Sequence, residues 1–424
     1  MELLAPGGPA AVLGAAARGL RRLCFNNAHN RDSVRECGGV AALVALLAPG
    51  GSAGAQEAAA GALQNLCVDN PQNRDSVREC GGIAALVELL ALGGPAAVLG
   101  AGAGALQSLC FSNAQNRDSV RACGGVAAMV GLLAPGRSAA VHEQAARALS
   151  NLCVDNPQNR DSVRECGVIA ALVELLAPGS PAAVLGAGAG ALRSLCFDNA
   201  QNRDSVRACG GVAALVGLLA PGGSAAVQEA AAGALCNLCC NNTHNRDSVR
   251  ECGGVAALVA LLAPSGSAAM QEAAAGALRN LCSANSQNRN CVRWCGGVAA
   301  LVGLLAPGRT DAVLEQAAAA LCNLCFNTTM NTDIVRECGG VAALVGLLAP
   351  ARPAAVHRMA AGALAVLTCE CGQSRDAVGA HGGVAALERV LACASSAAAH
   401  ERAAAALRNL GHVRQVVGNL DQPD

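Results

Sequence analysis

Apolar and polar positions along this chain recur with helical spacing, and no stretch shows the period-two alternation of β-branched residues that marks a strand. The segment after residue 29 is typical. Asn30 is suited to cap a short helix over Arg31–Cys37, with Asp32 in its first turn, where a carboxylate suits the helix dipole. Gly38-Gly39 ends that helix. Val40, Leu43, Val44, Leu46 and Leu47 then form one apolar helical face, which Pro49-Gly50-Gly51 stops. A third helix is predicted from about Ala55 to Val68, with Ala59, Ala62, Leu63, Leu66 and Cys67 turned inward.

The same parse repeats every 43 residues. Gly-Gly pairs stand at 38–39, 81–82, 124–125, 210–211, 253–254, 296–297, 339–340 and 382–383, and Gly167-Val168 fills the gap in the series. Nine units start at 30, 73, 116, 159, 202, 245, 288, 331 and 374 and run to residue 416, followed by a polar tail at 417–424. Glu2-Leu3-Leu4-Ala5-Pro6-Gly7-Gly8 aligns with Ala45-Leu46-Leu47-Ala48-Pro49-Gly50-Gly51, so residues 1–29 read as a truncated unit that keeps the end of a second helix and a third helix. A longer period of 86 residues is superimposed, since VLGAGAGALQSLCF at 98–111 returns as VLGAGAGALRSLCF at 184–197. A unit of this size cannot bury its apolar face alone, so its neighbours must stack. The expected fold is an all-α solenoid of three-helix units.

The pattern N-x-x-x-V-x-x-x-G-G-[VI]-x-x-L-V-x-L-L followed by V-x-E-A-A-x-A-L-x-N-L resembles the armadillo repeat, from Leu3 to about Val413. That resemblance implies a right-handed superhelix whose third helices line a concave groove. It also implies a groove that grips extended peptides, as in β-catenin, the importin-alpha adaptors and the vacuolar armadillo scaffolds. The groove position that carries a peptide-binding Asn in such proteins corresponds here to Asn65, Ser108, Asn151, Ser194, Asn237, Asn280, Asn323 and Asn409, with Arg22 and Val366 at the same phase. A side-chain amide suits this role because it pairs with a peptide unit regardless of sequence. Four residues earlier, where importin-alpha adaptors hold Trp, stand Arg18, Gly61, Gly104, Arg147, Gly190, Gly233, Gly276, Ala319, Gly362 and Ala405. Without those rings the stacking slots for Lys and Arg are missing, which argues against nuclear-import cargo binding in that style. Arg18, Arg21 and Arg22 form a basic cluster on one third helix that would receive an acidic segment. Trp294, where other copies have Glu or Ala, is a candidate anchor for a partner.

Composition narrows the function. The net charge is zero, there is no Lys or Tyr, and only five residues are aromatic, which leaves neither a basic footprint nor stacking rings for nucleic acid. The uncharged run 89–116 is cut by Gly93-Gly94-Pro95 into pieces shorter than the roughly 20 residues a membrane span needs. Two Cys series, Cys24 to Cys325 and Cys37 to Cys338, each recur every 43 residues and are expected to pack as small apolar side chains in a reducing compartment. Cys236–Cys239 and Cys322–Cys325 each lie within one helix and cannot converge four ligands on a metal. Arg31 and Arg35 and their copies are expected on a solvated face, neutralised by Asp32 and Glu36. The glycines at 100, 102 and 104 and at 186, 188 and 190 should make these two third helices the softest. None of the seven His residues sits in a catalytic motif, and no phosphate loop occurs. The expectation is a non-catalytic scaffold without cofactor or metal, cytoplasmic or nuclear, that binds extended segments of other proteins and has an N-terminal edge open to end-to-end stacking. The rival is the targeting subunit of an enzyme complex of ubiquitin-ligase type, with its catalytic part elsewhere.

Overall fold

A computed structural model describes residues 2–4, 7–369, 371–393 and 396–412. The tail at 417–424 and the end of the ninth unit beyond residue 412 lie outside the described residues. Among the described residues there are 28 α-helices, a short 3₁₀ turn at Glu2–Leu4 and no strand. The helices come in threes, for example Ala28–Glu36, Gly39–Ala45 and Ala53–Cys67. The protein is an all-α solenoid of three-helix units.

Asn30 does not cap the first helix. That helix starts two residues earlier, at Ala28, and Asn27 is the cap, its Oδ1 accepting the Asn30 backbone N–H at 2.9 Å. Asn70, Asn113, Asn156, Asn199 and Asn285 do the same in their units. Capping by the earlier Asn frees the later one for the core. The Asn73 side chain is fully buried, and its Nδ2 donates to Leu66 O at 3.0 Å and Arg31 O at 3.2 Å. One amide thus ties the end of a third helix to the first helix of the preceding unit. Asn116, Asn159, Asn202 and Asn288 repeat both bonds.

The two glycines of each pair have different reasons to be there. The first is left-handed in every copy, including Gly38 at φ +76° and Gly167 at φ +74°. A side chain there costs roughly 1–2 kcal/mol. The second opens the next helix with ordinary dihedrals, but a Cβ on Gly125 would stand 2.7 Å from Val120 O and 2.5 Å from its Cγ1. Only the second is ever replaced, by the fully buried Val168.

Contacts divide the chain into two compact units, Met1–Leu218 and Leu219–Asp424. Within the first, the third helices Ala10–Cys24, Ala53–Cys67, Ala96–Cys110, Ala139–Cys153 and Ala182–Cys196 pack in series. Within the second, the helices Ala225–Cys239, Ala268–Cys282, Asp311–Cys325, Ala354–Cys369 and Ala397–Asn409 do likewise. The sequence explains the close stacking. The flanks are Ala and Gly (Ala58, Ala59, Ala60, Gly61), while Leu63, Leu66 and Cys67 fill the layer beneath with no solvent exposure.

The Gly-rich third helices are continuous over 15 residues each. Some of their glycines accommodate neighbours: a Cβ on Gly102 would meet Leu90 Cδ2 at 2.9 Å, and one on Gly104 would meet Gln64 Nε2 at 2.8 Å. Gly190 has nothing within 4 Å of its Cβ position. Gly190→Ala should therefore raise stability by up to about 1 kcal/mol through helix propensity alone. Gly125→Ala should lower it by about 1–3 kcal/mol through overpacking. Urea denaturation of the pair checks both signs, and equal effects would reject the distinction.

Candidate peptide-binding face of the third helices

The predicted groove residues lie one per third helix and are all half-buried: Asn65, Ser108, Asn151, Ser194, Asn237, Asn280, Asn323 and Asn409. Their phase near the helix C-terminus leaves the side chain beside the preceding third helix. Asn65 Nδ2 donates to Arg21 O at 2.9 Å and Asn151 Nδ2 to Gln107 O at 2.9 Å. Asn280 Nδ2 donates to Cys236 O at 2.8 Å, Asn323 Nδ2 to Arg279 O at 2.9 Å and Asn409 Nδ2 to Ala365 O at 2.8 Å. Each amide is therefore a strut between consecutive helices before it is anything else. The strut fixes the rotamer. Among the described residues, no hydrogen bond occupies Oδ1 of Asn65, Asn151, Asn323 or Asn409, whereas Asn280 Oδ1 accepts from Arg279 Nε at 3.2 Å. Ser194 shares a 2.9 Å hydroxyl contact with Ser150.

Arg18 and Arg22 are exposed on Ala10–Cys24 and have no ion pair among the described residues. The third member of the cluster, Arg21, lies against the next third helix: its Nε is 2.9 Å from where a Gly61 Cβ would be, so the glycine at 61 leaves room for this side chain. Trp294 ends the first helix Ser286–Trp294 and is 77 % exposed, with the Arg293 guanidinium 5.9 Å from its ring centre.

The Arg31 series is not a solvated face. Arg31, Arg74, Arg117, Arg160, Arg246 and Arg289 are buried. Their guanidinium groups donate to the last carbonyls of the adjoining third helix, as in Arg31 Nε to Cys24 O at 3.0 Å and Arg160 Nη1 to Cys153 O at 3.0 Å. A helix C-terminus carries unpaired carbonyls and partial negative charge, so it serves as counter-group where no carboxylate is near. Only the Arg35 series behaves as expected, pairing with Asp32 at 3.6 Å and Glu36 at 3.3 Å.

Asp32 has a second partner in the next unit, accepting from Asn70 Nδ2 at 2.9 Å. Asp75, Asp118 and Asp161 accept likewise from Asn113, Asn156 and Asn199. The Asn70 hydrogen bond, aided by Arg35 against some desolvation, holds the Asp32 carboxyl below the usual carboxylate range. A lowered folded-state value means that this stabilisation is present above the unfolded value and fades as pH falls through the folded one. Asn70→Asp should keep the helix cap but set carboxylate against carboxylate. We expect the variant to melt lower than the parent at pH 7 and the gap to close below about pH 4, where a carboxyl takes a proton. A gap unchanged between pH 7 and pH 3 would reject this.

The two Cys series part company. Cys67, Cys110, Cys153 and Cys196 are fully buried, and burial pushes each thiol up to about 12. Cys37, Cys80, Cys123, Cys166, Cys209, Cys252 and Cys338 are exposed at the ends of first helices, so this series does not pack as apolar filling. The Cys37 backbone N–H bonds back to Ser33 O at 3.0 Å, and the backbone, not the thiol, defines the position. Among the described residues no three His, Cys, Asp or Glu side chains converge as metal ligands, and no helix is long and apolar enough to cross a membrane.

Sequence reasoning missed an exposed apolar row. Phe25, Phe111, Phe197 and Phe326 sit at one repeat position, just past the third helix, and all are exposed. Arg74 lies 5.9 Å from the Phe111 ring centre and Arg160 5.8 Å from that of Phe197. The signal was available: every Phe in an aromatic-poor chain falls at one phase of the 43-residue period. At the N-terminal end, Leu3, Leu4, Val12, Leu20 and Leu23 line an apolar hollow of about 590 Å³. Leu23 is 55 % exposed, while its counterpart Leu66, covered by the preceding third helix, is 0 % exposed.

Comparison with known proteins agrees with this geometry. The profile of the armadillo/β-catenin-like repeat matches residues 27–68, 113–154, 199–240, 242–283 and 285–326. None of the curated proteins compared gives a match. Among solved structures, the chain is similar to an engineered protein whose crystal structure comes from the Northeast Structural Genomics Consortium. The two are 28 % identical with a TM-score of 0.84, over 97 % of each chain. Armadillo repeats generally act in protein interaction. Its five matched repeats, its three-helix units and its serially packed third helices make this chain an armadillo-repeat solenoid.

Proposed function

We propose that this protein is a non-catalytic scaffold, cytoplasmic or nuclear, that binds extended peptide segments of other proteins along the third-helix face. The observation that carries this reading is the row of half-buried amides fixed by one N–H each on the preceding helix. Where Oδ1 carries no hydrogen bond among the described residues, as in Asn65, Asn151, Asn323 and Asn409, the fixed amide presents its remaining donor and acceptor without a rotamer cost on binding, which favours capture of a peptide backbone. The test begins with 12-residue peptides selected from a random displayed library against the full chain. The triple variant Asn151→Ala, Asn280→Ala, Asn323→Ala should weaken the selected peptides by about tenfold or more, at roughly 1 kcal/mol per lost hydrogen bond. Selected peptides that bind the variant unchanged would move the site elsewhere.

The hollow at Leu20 and Leu23 is where end-to-end stacking with a second copy would occur, since the equivalent surface of each later unit in its stack is covered by a helix. Leu20→Glu with Leu23→Glu should abolish concentration-dependent association in sedimentation. A parent chain that stays monomeric at high concentration rejects the stacking.

A further inference from the structure

Within the Leu219–Asp424 unit, the third-helix face contains a cavity of about 220 Å³ whose lining includes Arg279, Arg358 and Arg402 together with Cys322, Asn323 and Gly362. The arginines come from three different third helices. Among the described residues no carboxylate lines the cavity. We propose that this cavity is a subsite for a phosphorylated side chain carried by the peptide in the groove, a proposal that rests on the peptide-binding reading above.

Two of the three guanidinium groups have a fixed partner, and the third lies along a glycine. Arg279 Nε donates to Asn280 Oδ1 at 3.2 Å. Arg358 Nη2 lies 3.4 Å from Glu315 Oε1. The stem of Arg402 crosses Gly362, with Cδ 3.5 Å from where a Cβ would stand. Its charge reaches the Cys322 thiol, easing the upward push that burial gives that group. Arg402 has no ion pair among the described residues. Glu315 balances one of the three positive charges, which leaves about two. A phosphoryl group carries about −1.5 to −2 at neutral pH, and its three oxygens match guanidinium forks. A carboxylate would satisfy half of that charge. The volume is below the roughly 300–1,000 Å³ of sites for whole small molecules, so the cavity suits the end of a side chain. Asn323 lies in the same lining, its Nδ2 fixed on Arg279 O at 2.9 Å, which places a backbone-binding amide beside the anion site.

The experiment uses the full chain and degenerate 12-residue peptides with a fixed central phosphoserine, serine or glutamate, read by fluorescence anisotropy. Phosphoserine should bind about tenfold or more tighter than serine, with glutamate between, as expected for added charge-assisted hydrogen bonds. Arg358→Gln and Arg402→Gln should each erase most of that preference and leave the serine pool unchanged. Arg147→Gln, on the other unit, should change nothing. A phosphoserine pool no better than serine overturns the proposal, as does a preference that survives both variants. Inorganic phosphate that displaces the phosphopeptide at equal concentration assigns the cavity to the free ion and also overturns it. If no pool binds, the peptide-groove reading fails, and titration of O-phosphoserine against arginine 15Nε signals decides the site alone. Saturable shifts lost in Arg402→Gln retain it, and their absence overturns it. Unaltered circular dichroism melting of the variants separates loss of the site from loss of fold.

Discussion

Asn116→Leu is expected to lower the stability of the Met1–Leu218 unit by about 1–3 kcal/mol, because the buried Leu109 carbonyl loses its donor, while Arg74 O loses a side-chain bond but keeps its helical partner. The residue is fully buried, and Nδ2 reaches Leu109 O at 3.0 Å and Arg74 O at 3.2 Å. Leu109 lies in the last turn of its helix, where no backbone donor follows to pair with it. Asn116 Oδ1 is itself buried without a partner, so leucine also removes a polar atom that gained nothing from folding. That gain places the result toward the lower end of the range. Asn116→Asp discriminates further: it offers the same carbonyls an acceptor in place of a donor and should be worse than leucine at neutral pH. Because repeat arrays can open locally, the loss should be read both by urea denaturation and by hydrogen exchange in Ala96–Cys110. A leucine variant within about 0.5 kcal/mol of the parent would show that the amide is not what joins the units.

The same residue shows how far the sequence alone could be read. The 43-residue period, the three helices per unit and the helix-ending glycine pair were legible, because helical periodicity and Gly punctuation are local signals. The roles of the two asparagines in each Asn-x-x-Asn segment were not. Asn27 and Asn30 are both good caps by type, and only packing against the preceding unit decides which one turns inward. Arg31 misled for a similar reason. An arginine four residues from another beside acidic residues looks like a surface pair, yet the carbonyls that hold it belong to residues 24 and 68, seven and 37 positions away. The candidate site was legible as a series but not in its chemistry. The position of Asn65, Asn151 and Asn280 follows from the repeat phase, whereas their bond to the preceding helix spans 44 residues. The three-arginine cavity was invisible because Arg279, Arg358 and Arg402 occupy different repeat phases and converge only through side-chain reach.

Arg246→Met should destabilise the Leu219–Asp424 unit by about 2–4 kcal/mol, at roughly 1.5–3 kcal/mol for each hydrogen bond to a charged group and less the desolvation that methionine avoids. Nε donates to Cys239 O at 3.0 Å and Nη1 to Ser283 O at 2.8 Å, so one planar fork closes the C-terminal ends of two consecutive third helices. Lysine carries the same charge on a single point and cannot reach both carbonyls in one geometry, so Arg246→Lys should recover less than half of the loss. The surface neighbour gives the contrast. Arg250 pairs with Asp247 at 3.5 Å and Glu251 at 3.4 Å at a part-exposed position, and Arg250→Met should cost no more than about 1 kcal/mol and less in salt. The Arg246 effect should persist in 1 M sodium chloride, because a buried contact is screened far less than an exposed one. Denaturation of the three variants at low and high salt decides the matter. If Arg246→Met behaves like Arg250→Met, or if its cost vanishes in salt, the buried arginines are ordinary surface charges folded inward, and the helix ends hold together without them.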